Sequence, residues 1–213
     1  MAVEEVRFAA PDGVTLEGEL ATASASAASV AVVLCHPHPQ YGGSMRAGII
    51  GDLFRALPDH GVTTVRFNFR GVERSEGAWD EGRAERGDVV AAIDTLAAAA
   101  PDLPLLLVGW SFGADMALSV RDHRVAAWCA IAPPLHFAAG LDETGADPRP
   151  KHLILGGRDD VVPADRTLAT VAGWAATTHE VIAGASHFFV GSSDAVVDAV
   201  VGCCRLWRPA PPP

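Results

Sequence analysis

A chain of 213 residues, 49% hydrophobic and 20% charged, has the length of one domain and enough apolar side chain for one sizeable core. Its formal net charge of -10 opposes binding to nucleic acid or to an anionic membrane face, both of which need clustered Lys and Arg. The four cysteines, Cys35, Cys129, Cys203 and Cys204, are too few for a disulfide framework; no run is long enough to span a membrane and the acidic start MAVEEVRF lacks an apolar signal core, so the expected location is the cytoplasm.

In chain order, residues 3–8 and 15–20 alternate in polarity around Pro11, Asp12 and Gly13, a turn signal that predicts an antiparallel hairpin at a sheet edge. The Ala/Ser tract 21–29 reads as a surface loop. Short, continuous apolar runs then occur at 30–35, 62–69, 103–109, 125–131, 152–155 and 180–182, the pattern of strands buried on both faces. Between them, 46–60, 86–99, 112–121, 164–175 and 193–207 carry apolar residues at the helical period. This alternation predicts an α/β fold: a doubly wound, mainly parallel sheet of about eight strands, with helices on both faces and the ligand at the carboxyl ends of the strands. The segment 133–150, interrupted by Gly140, Gly145, Pro148 and Pro150, leaves no room for a cap or lid domain. Residues 1–207 accordingly read as a single domain, and 208–213 as a disordered Pro-rich tail, because proline has no amide with which to continue a helix. The helix near Cys203 is either part of the core or, less simply, a dimer interface; a monomer and a homodimer both remain open.

Chemistry concentrates in Gly109-Trp110-Ser111-Phe112-Gly113, directly after one apolar run and directly before a helical pattern. With 21 glycines in the chain the bare Gly-x-Ser-x-Gly pattern is a weak signal, and its placement between strand and helix carries the weight. A serine on such a sharp turn holds its hydroxyl above the sheet, and flanking glycines leave space where a Cβ would collide with neighbouring backbone. Serine is a weak nucleophile at neutral pH and needs a base. His187, in the loop after the last predicted strand, is the candidate, and the carboxylate that would orient it is Asp159 or Asp160, in the loop after the preceding strand. The order Ser, Asp, His along the chain is the α/β-hydrolase order. Taken singly, Ser111 reads equally well as a helix N-cap, His187 as a surface histidine and Asp159 as a turn residue; the combination favours the chemical reading.

With these motifs in place, the chain resembles the α/β-hydrolase superfamily, and within it the small lidless bacterial hydrolases distantly related to dienelactone hydrolase. The resemblance runs through Cys35-His36-Pro37-His38-Pro39 with Gly42 and Gly43, Arg66 to Gly71 and on to Gly77, the serine turn, Gly156 to Pro163, and Gly184 to Phe189. It implies Ser111, Asp159 and His187 as the triad; Asp159 is selected over Asp160 because the family's acid lies four positions before the proline that opens the next helix, here Pro163. It also implies an oxyanion hole of the Phe112 amide and a second amide from the loop after the His36 strand, assigned to His38 because Pro37 and Pro39 have none. Glu73, where glycine is common, and Asp115, where a neutral residue is usual, depart from the family pattern.

The resulting expectation is a serine hydrolase, carboxylesterase-like, acting through an acyl-enzyme on small or short-chain esters or thioesters, with no cofactor and no metal. The same residues would serve a thioesterase or a lactone or peptide hydrolase, and a catalytically silent binding module on the same fold is the alternative of another class. His36 and His38 as metal ligands are a weaker reading, since no cysteine or carboxylate cluster accompanies them. Arg70 and Ser75 read as shaping their own turn, and Tyr41, Trp79, Phe112, Phe137, Phe188 and Phe189 as either pocket rim or packing.

Overall fold

The computed structural model describes residues 2–24 and 28–207. An eight-stranded sheet runs through it in the order β1-β2-β4-β3-β5-β6-β7-β8. The strands are β1 (Ala2–Ala9), β2 (Thr15–Thr22), β3 (Val30–Cys35), β4 (Val62–Phe67), β5 (Leu105–Trp110), β6 (Val125–Ile131), β7 (Lys151–Gly156) and β8 (Thr177–Ile182). β1 and β2 form the expected hairpin and β2 joins β4 antiparallel, whereas every pairing from β4 to β8 is parallel. The helices are α1 (Gly48–Ala56), α2 (Glu85–Ala99), α3 (Phe112–Leu118), α4 (Leu141–Ala146), α5 (Ala164–Thr170) and α6 (Ser193–Leu206).

Because successive strand residues point to opposite faces, each central strand feeds two cores. Val30, Val32 and Leu34 pack with Ile50 and Phe54 of α1 and Val196 and Val200 of α6. Ala31, Val33 and Cys35 point the other way, toward Val89 and Ile93 of α2 and Phe112 and Met116 of α3. That division explains why β3 is buried at every position and reads as one continuous apolar run.

Several boundaries differ from expectation for identifiable reasons. β4 stops at Phe67 because the Phe69 amide leaves the ladder to donate to His36 Nε2 (3.0 Å). β5 begins after Pro104, whose carbonyl still accepts from Ala31 N (2.9 Å). The helix expected over 46–60 is α1 followed by a 3-10 turn over Leu57–His60, where Pro58 removes an amide. α3 ends at Leu118 and α5 at Thr170, both short of the apolar rhythm. Strand β8 was expected to be buried; it is the sheet edge, and Thr178, His179 and Glu180 are exposed. Part of the tract expected as a loop is strand, since Ala21 and Thr22 close β2, while 25–27 lie outside the described residues, as does the expected tail 208–213. Segment 133–150 holds the short helix α4 and no lid domain. No helix among the described residues is long and apolar enough to cross a membrane.

Candidate active site

Ser111 sits at φ 54°, ψ -122°, a strained conformation for a residue with a side chain. The turn is held on both sides: Ser111 N donates to Ile131 O of β6 (2.8 Å), and Ser111 O accepts from Ala114 N (2.8 Å). The two glycines make the geometry sterically possible. A Cβ on Gly109 would lie 2.2 Å from Gly113 O, and one on Gly113 would lie 2.2 Å from Cys35 O, both far inside van der Waals contact.

Strands β5, β6, β7 and β8 are neighbours in that order and all parallel, so the loops after β7 and β8 leave the same edge of the sheet as this turn. His187 Nε2 lies 3.0 Å from Ser111 Oγ, and His187 Nδ1 lies 2.8 Å from Asp159 Oδ2. The second oxygen of Asp159 accepts two backbone amides, Val161 N (2.9 Å) and Val162 N (2.7 Å), which fix the carboxylate plane. Asp159 and His187 are buried, while the neighbouring Asp160 is exposed. The structure therefore brings Ser111, His187 and Asp159 into one hydrogen-bonded chain and leaves Asp160 outside it. Trp110 adds a tether absent from the sequence reading: its Nε1 donates to His187 O (3.1 Å) and pins the histidine loop to the end of β5.

The other wall is the loop after β3. His36 is buried and neutral, with its pKa pushed down to about 4 mainly by desolvation; Nδ1 faces Pro37 O at 2.6 Å and Nε2 accepts from Phe69 N. Both ring nitrogens thus serve backbone groups, which argues against the metal-ligand reading, and no group of three potential ligands is found among the described residues. The His38 ring lies among Tyr41, Trp79, Phe112 and Phe137, with centroids 4.6–5.4 Å away. The His38 amide donates to no group among the described residues, and Phe112 N opens α3, where a helix leaves its amides without intrahelical acceptors.

Between these walls lies a cavity of about 670 Å³ lined by Ser111 and His187 together with Tyr41, Leu135, Phe137, Val161 and Phe188, among others. Tyr41 and Phe188 are exposed at its mouth, whereas Phe189, grouped with them in the sequence, is buried in the core beside α6. Asp115 does not reach the cavity. Fully buried in α3, it accepts Leu135 N (2.8 Å) and Phe137 N (3.0 Å) and so staples the lining loop; burial pushes its pKa up to about 7 against those amides. Sequence periodicity carried no hint of this partner, which comes from a segment about twenty residues away.

Arg70 and Ser75 shape the turn after β4. Arg70 pairs with buried Asp88 (2.7 Å) and with Asp12 (2.8 Å), and Ser75 Oγ donates to Asn68 O (2.7 Å). Glu73 adopts φ 47°, the left-handed region that glycine enters freely, and its carboxylate accepts from Arg46 and Asn68 (both 2.9 Å).

No protein-family model matches the chain. A curated relative, the uncharacterized protein RP471 of Rickettsia prowazekii, is 34% identical over 196 residues, which is 87% of this chain and 82% of that protein. Among solved structures, an alpha-beta serine hydrolase homologue from Coxiella burnetii is 32% identical over 95% of this chain and 98% of its own, with a TM-score of 0.86. ATU1826 from Agrobacterium tumefaciens, described as a putative alpha/beta hydrolase of unknown function, is 31% identical over 98% of this chain and all of its own (100%), with a TM-score of 0.85. XC6422 from Xanthomonas campestris, described as an a/b serine hydrolase without lid, is 28% identical over 100% of this chain and 98% of its own, with a TM-score of 0.86. The sheet order, the serine turn and these likenesses together place the chain in the family of small, lidless α/β-hydrolases.

Proposed function

We propose that the protein is a serine hydrolase that cleaves carboxylic esters bearing small or short-chain acyl groups, with Ser111 as nucleophile, His187 as base and Asp159 as the group that orients the base. The observation that carries this reading is the continuous chain of hydrogen bonds from Asp159 through His187 to a strained serine at the wall of an apolar cavity. Asp159 holds the proton of His187 on Nδ1, which leaves Nε2 to accept the Ser111 proton as Oγ attacks the acyl carbon. The same proton then passes to the leaving alcohol, and water repeats the sequence on the acyl-enzyme. The amides of His38 and Phe112 face the developing oxyanion in this reading, a contribution of about 3 kcal/mol per donor in comparable sites.

The cavity, about 670 Å³, has the size of sites that enclose one small organic ligand, and the lidless mouth favours small acyl substrates over lipid aggregates. Labelling of the native protein with a fluorophosphonate, read by intact mass, tests activation directly. Stoichiometric modification of Ser111 that is abolished in S111A and H187A is the expected result, followed by faster turnover of acetyl and butyryl p-nitrophenyl esters than of long-chain esters. Absence of labelling in folded protein would favour a binding module on the hydrolase fold, and faster long-chain turnover would overturn the assignment of acyl size.

A further inference from the structure

A second cluster of reactive groups lies away from the serine, on the sheet face covered by α6. Strand register builds it. Cys129 of β6 stands beside His152 of β7, and His152 stands beside Thr178 of β8, so one transverse row across three parallel strands carries a thiol, an imidazole and a hydroxyl on the same face. Helix α6 lays Cys203 against this row: Cys203 and Cys129 belong to one buried cluster, and Cys203 and His152 line the same groove. His152 Nδ1 meets Thr178 Oγ1 at 2.8 Å, which fixes the ring.

The cluster borders a groove, although Cys203 itself is only 3% exposed. A groove between α6 and the exposed edge strand β8 is lined by His152, Thr178, Glu180, Asp198, Gly202 and Cys203 among others. Gly202 contributes to that access, because a Cβ there would meet nothing within 4 Å. Electrostatics divides the two thiols. The neighbouring Cys129 and His152 both favour the Cys203 thiolate against the cost of burial, while Cys129, fully buried, is held as a thiol by the neighbouring Cys203 and by desolvation. His152 is in turn more basic because of Cys203, with Glu180 adding a smaller push in the same direction. None of the four cysteines, all of them among the described residues, forms a disulfide, and Cys35, buried in β3, has its thiol pushed well up by desolvation.

We propose that Cys203 and Cys129 form a hydroperoxide-responsive thiol pair, in which Cys203 is the attacking sulfur reached through the α6/β8 groove and Cys129 is the resolving one. In the first step the Cys203 thiolate attacks one oxygen of hydrogen peroxide; the S–O bond forms, the O–O bond breaks, and hydroxide leaves with a proton from His152 as water. In the second step Cys129 sulfur attacks Cys203 sulfur; the S–S bond forms, the S–O bond breaks, and the Cys129 proton leaves with the hydroxide as a second water. Two thiols and one peroxide become one disulfide and two waters. The product would tie α6 to the middle of the sheet.

The test uses the whole chain treated with stoichiometric hydrogen peroxide under native conditions, followed by non-reducing digestion and mass mapping. A loss of two hydrogens located on a Cys129–Cys203 linked peptide and reversed by dithiothreitol is the expected result. In C129A the oxidation should stop at Cys203 and be trapped there by dimedone. Independently, iodoacetamide at neutral pH should alkylate Cys203 in the untreated wild type at least tenfold faster than Cys35, with the advantage reduced in H152Q; this comparison stands even if C129A does not fold. A Cys203–Cys204 link, oxidation confined to methionine, or equal alkylation of Cys203 and Cys35 would each overturn the proposal.

Discussion

Replacing Asp159 by asparagine separates orientation of the base from support of the fold. The asparagine carbonyl oxygen can keep both amides that Asp159 Oδ1 now accepts, from Val161 and Val162, so the loop retains its anchor. The side-chain NH2 then takes the place of Oδ2, 2.8 Å from His187 Nδ1. Two donors cannot face each other, so the imidazole must shift its proton to Nε2, the nitrogen that lies 3.0 Å from Ser111 Oγ. In that tautomer His187 donates to the serine and cannot take its proton. The same exchange in serine proteases lowers kcat about 10,000-fold, roughly 5.4 kcal/mol of transition-state stabilisation, and a loss of that order is expected here. The assay is steady-state hydrolysis of p-nitrophenyl butyrate beside fluorophosphonate labelling, with D160N as control and urea unfolding to confirm the fold. D159N retaining more than a tenth of wild-type kcat, or D160N falling as far as D159N, would refute the reasoning.

Two further predictions concern stability. R70M should cost about 3–5 kcal/mol in urea unfolding, because it leaves the carboxylate of Asp88, which has a side-chain exposure of 0%, buried without its cation; the double variant R70M/D88N should recover part of this, and a loss below about 1 kcal/mol for R70M would contradict the pairing. For Asp115 the folded pKa of about 7 lies above the ordinary 3.8, so folding takes up a proton between those values and the contribution of this residue is lost as pH rises through 7. The stability of wild type relative to D115N should therefore fall with pH at up to about 1.4 kcal/mol per pH unit between the two pKa values; a flat difference over pH 4–7 would show that the carboxyl stays ionised in its amide cradle.

The strands and helices that were legible in the sequence are those whose burial is uniform. β3 and β6 match their apolar runs end to end, because a strand covered on both faces needs apolar residues at every position. The serine turn was legible for a related reason: its two glycines answer to steric contacts within one strand–turn–helix unit. Elements that depend on partners elsewhere were not. Strand β8 lies at the edge and carries Thr178, His179 and Glu180 in water, so its pattern resembles a loop except at its end. Helix α4 hides among glycines and prolines.

Sequence by itself determined the fold class, the strand-to-helix alternation and the identity of the residues capable of nucleophilic chemistry, since these follow from hydrophobic period and local turn sterics. Tertiary structure alone decided that Trp110 tethers the His187 loop, that Asp115 staples the loop over the cavity, and that Cys129 and His152 lie on the sheet face that α6 covers with Cys203. The physical reason is common to all three: side-chain direction is set by packing between segments far apart in the chain, and for Cys129 and His152 a one-residue change of register would send the side chain to the opposite face without altering the sequence pattern that predicts the strand.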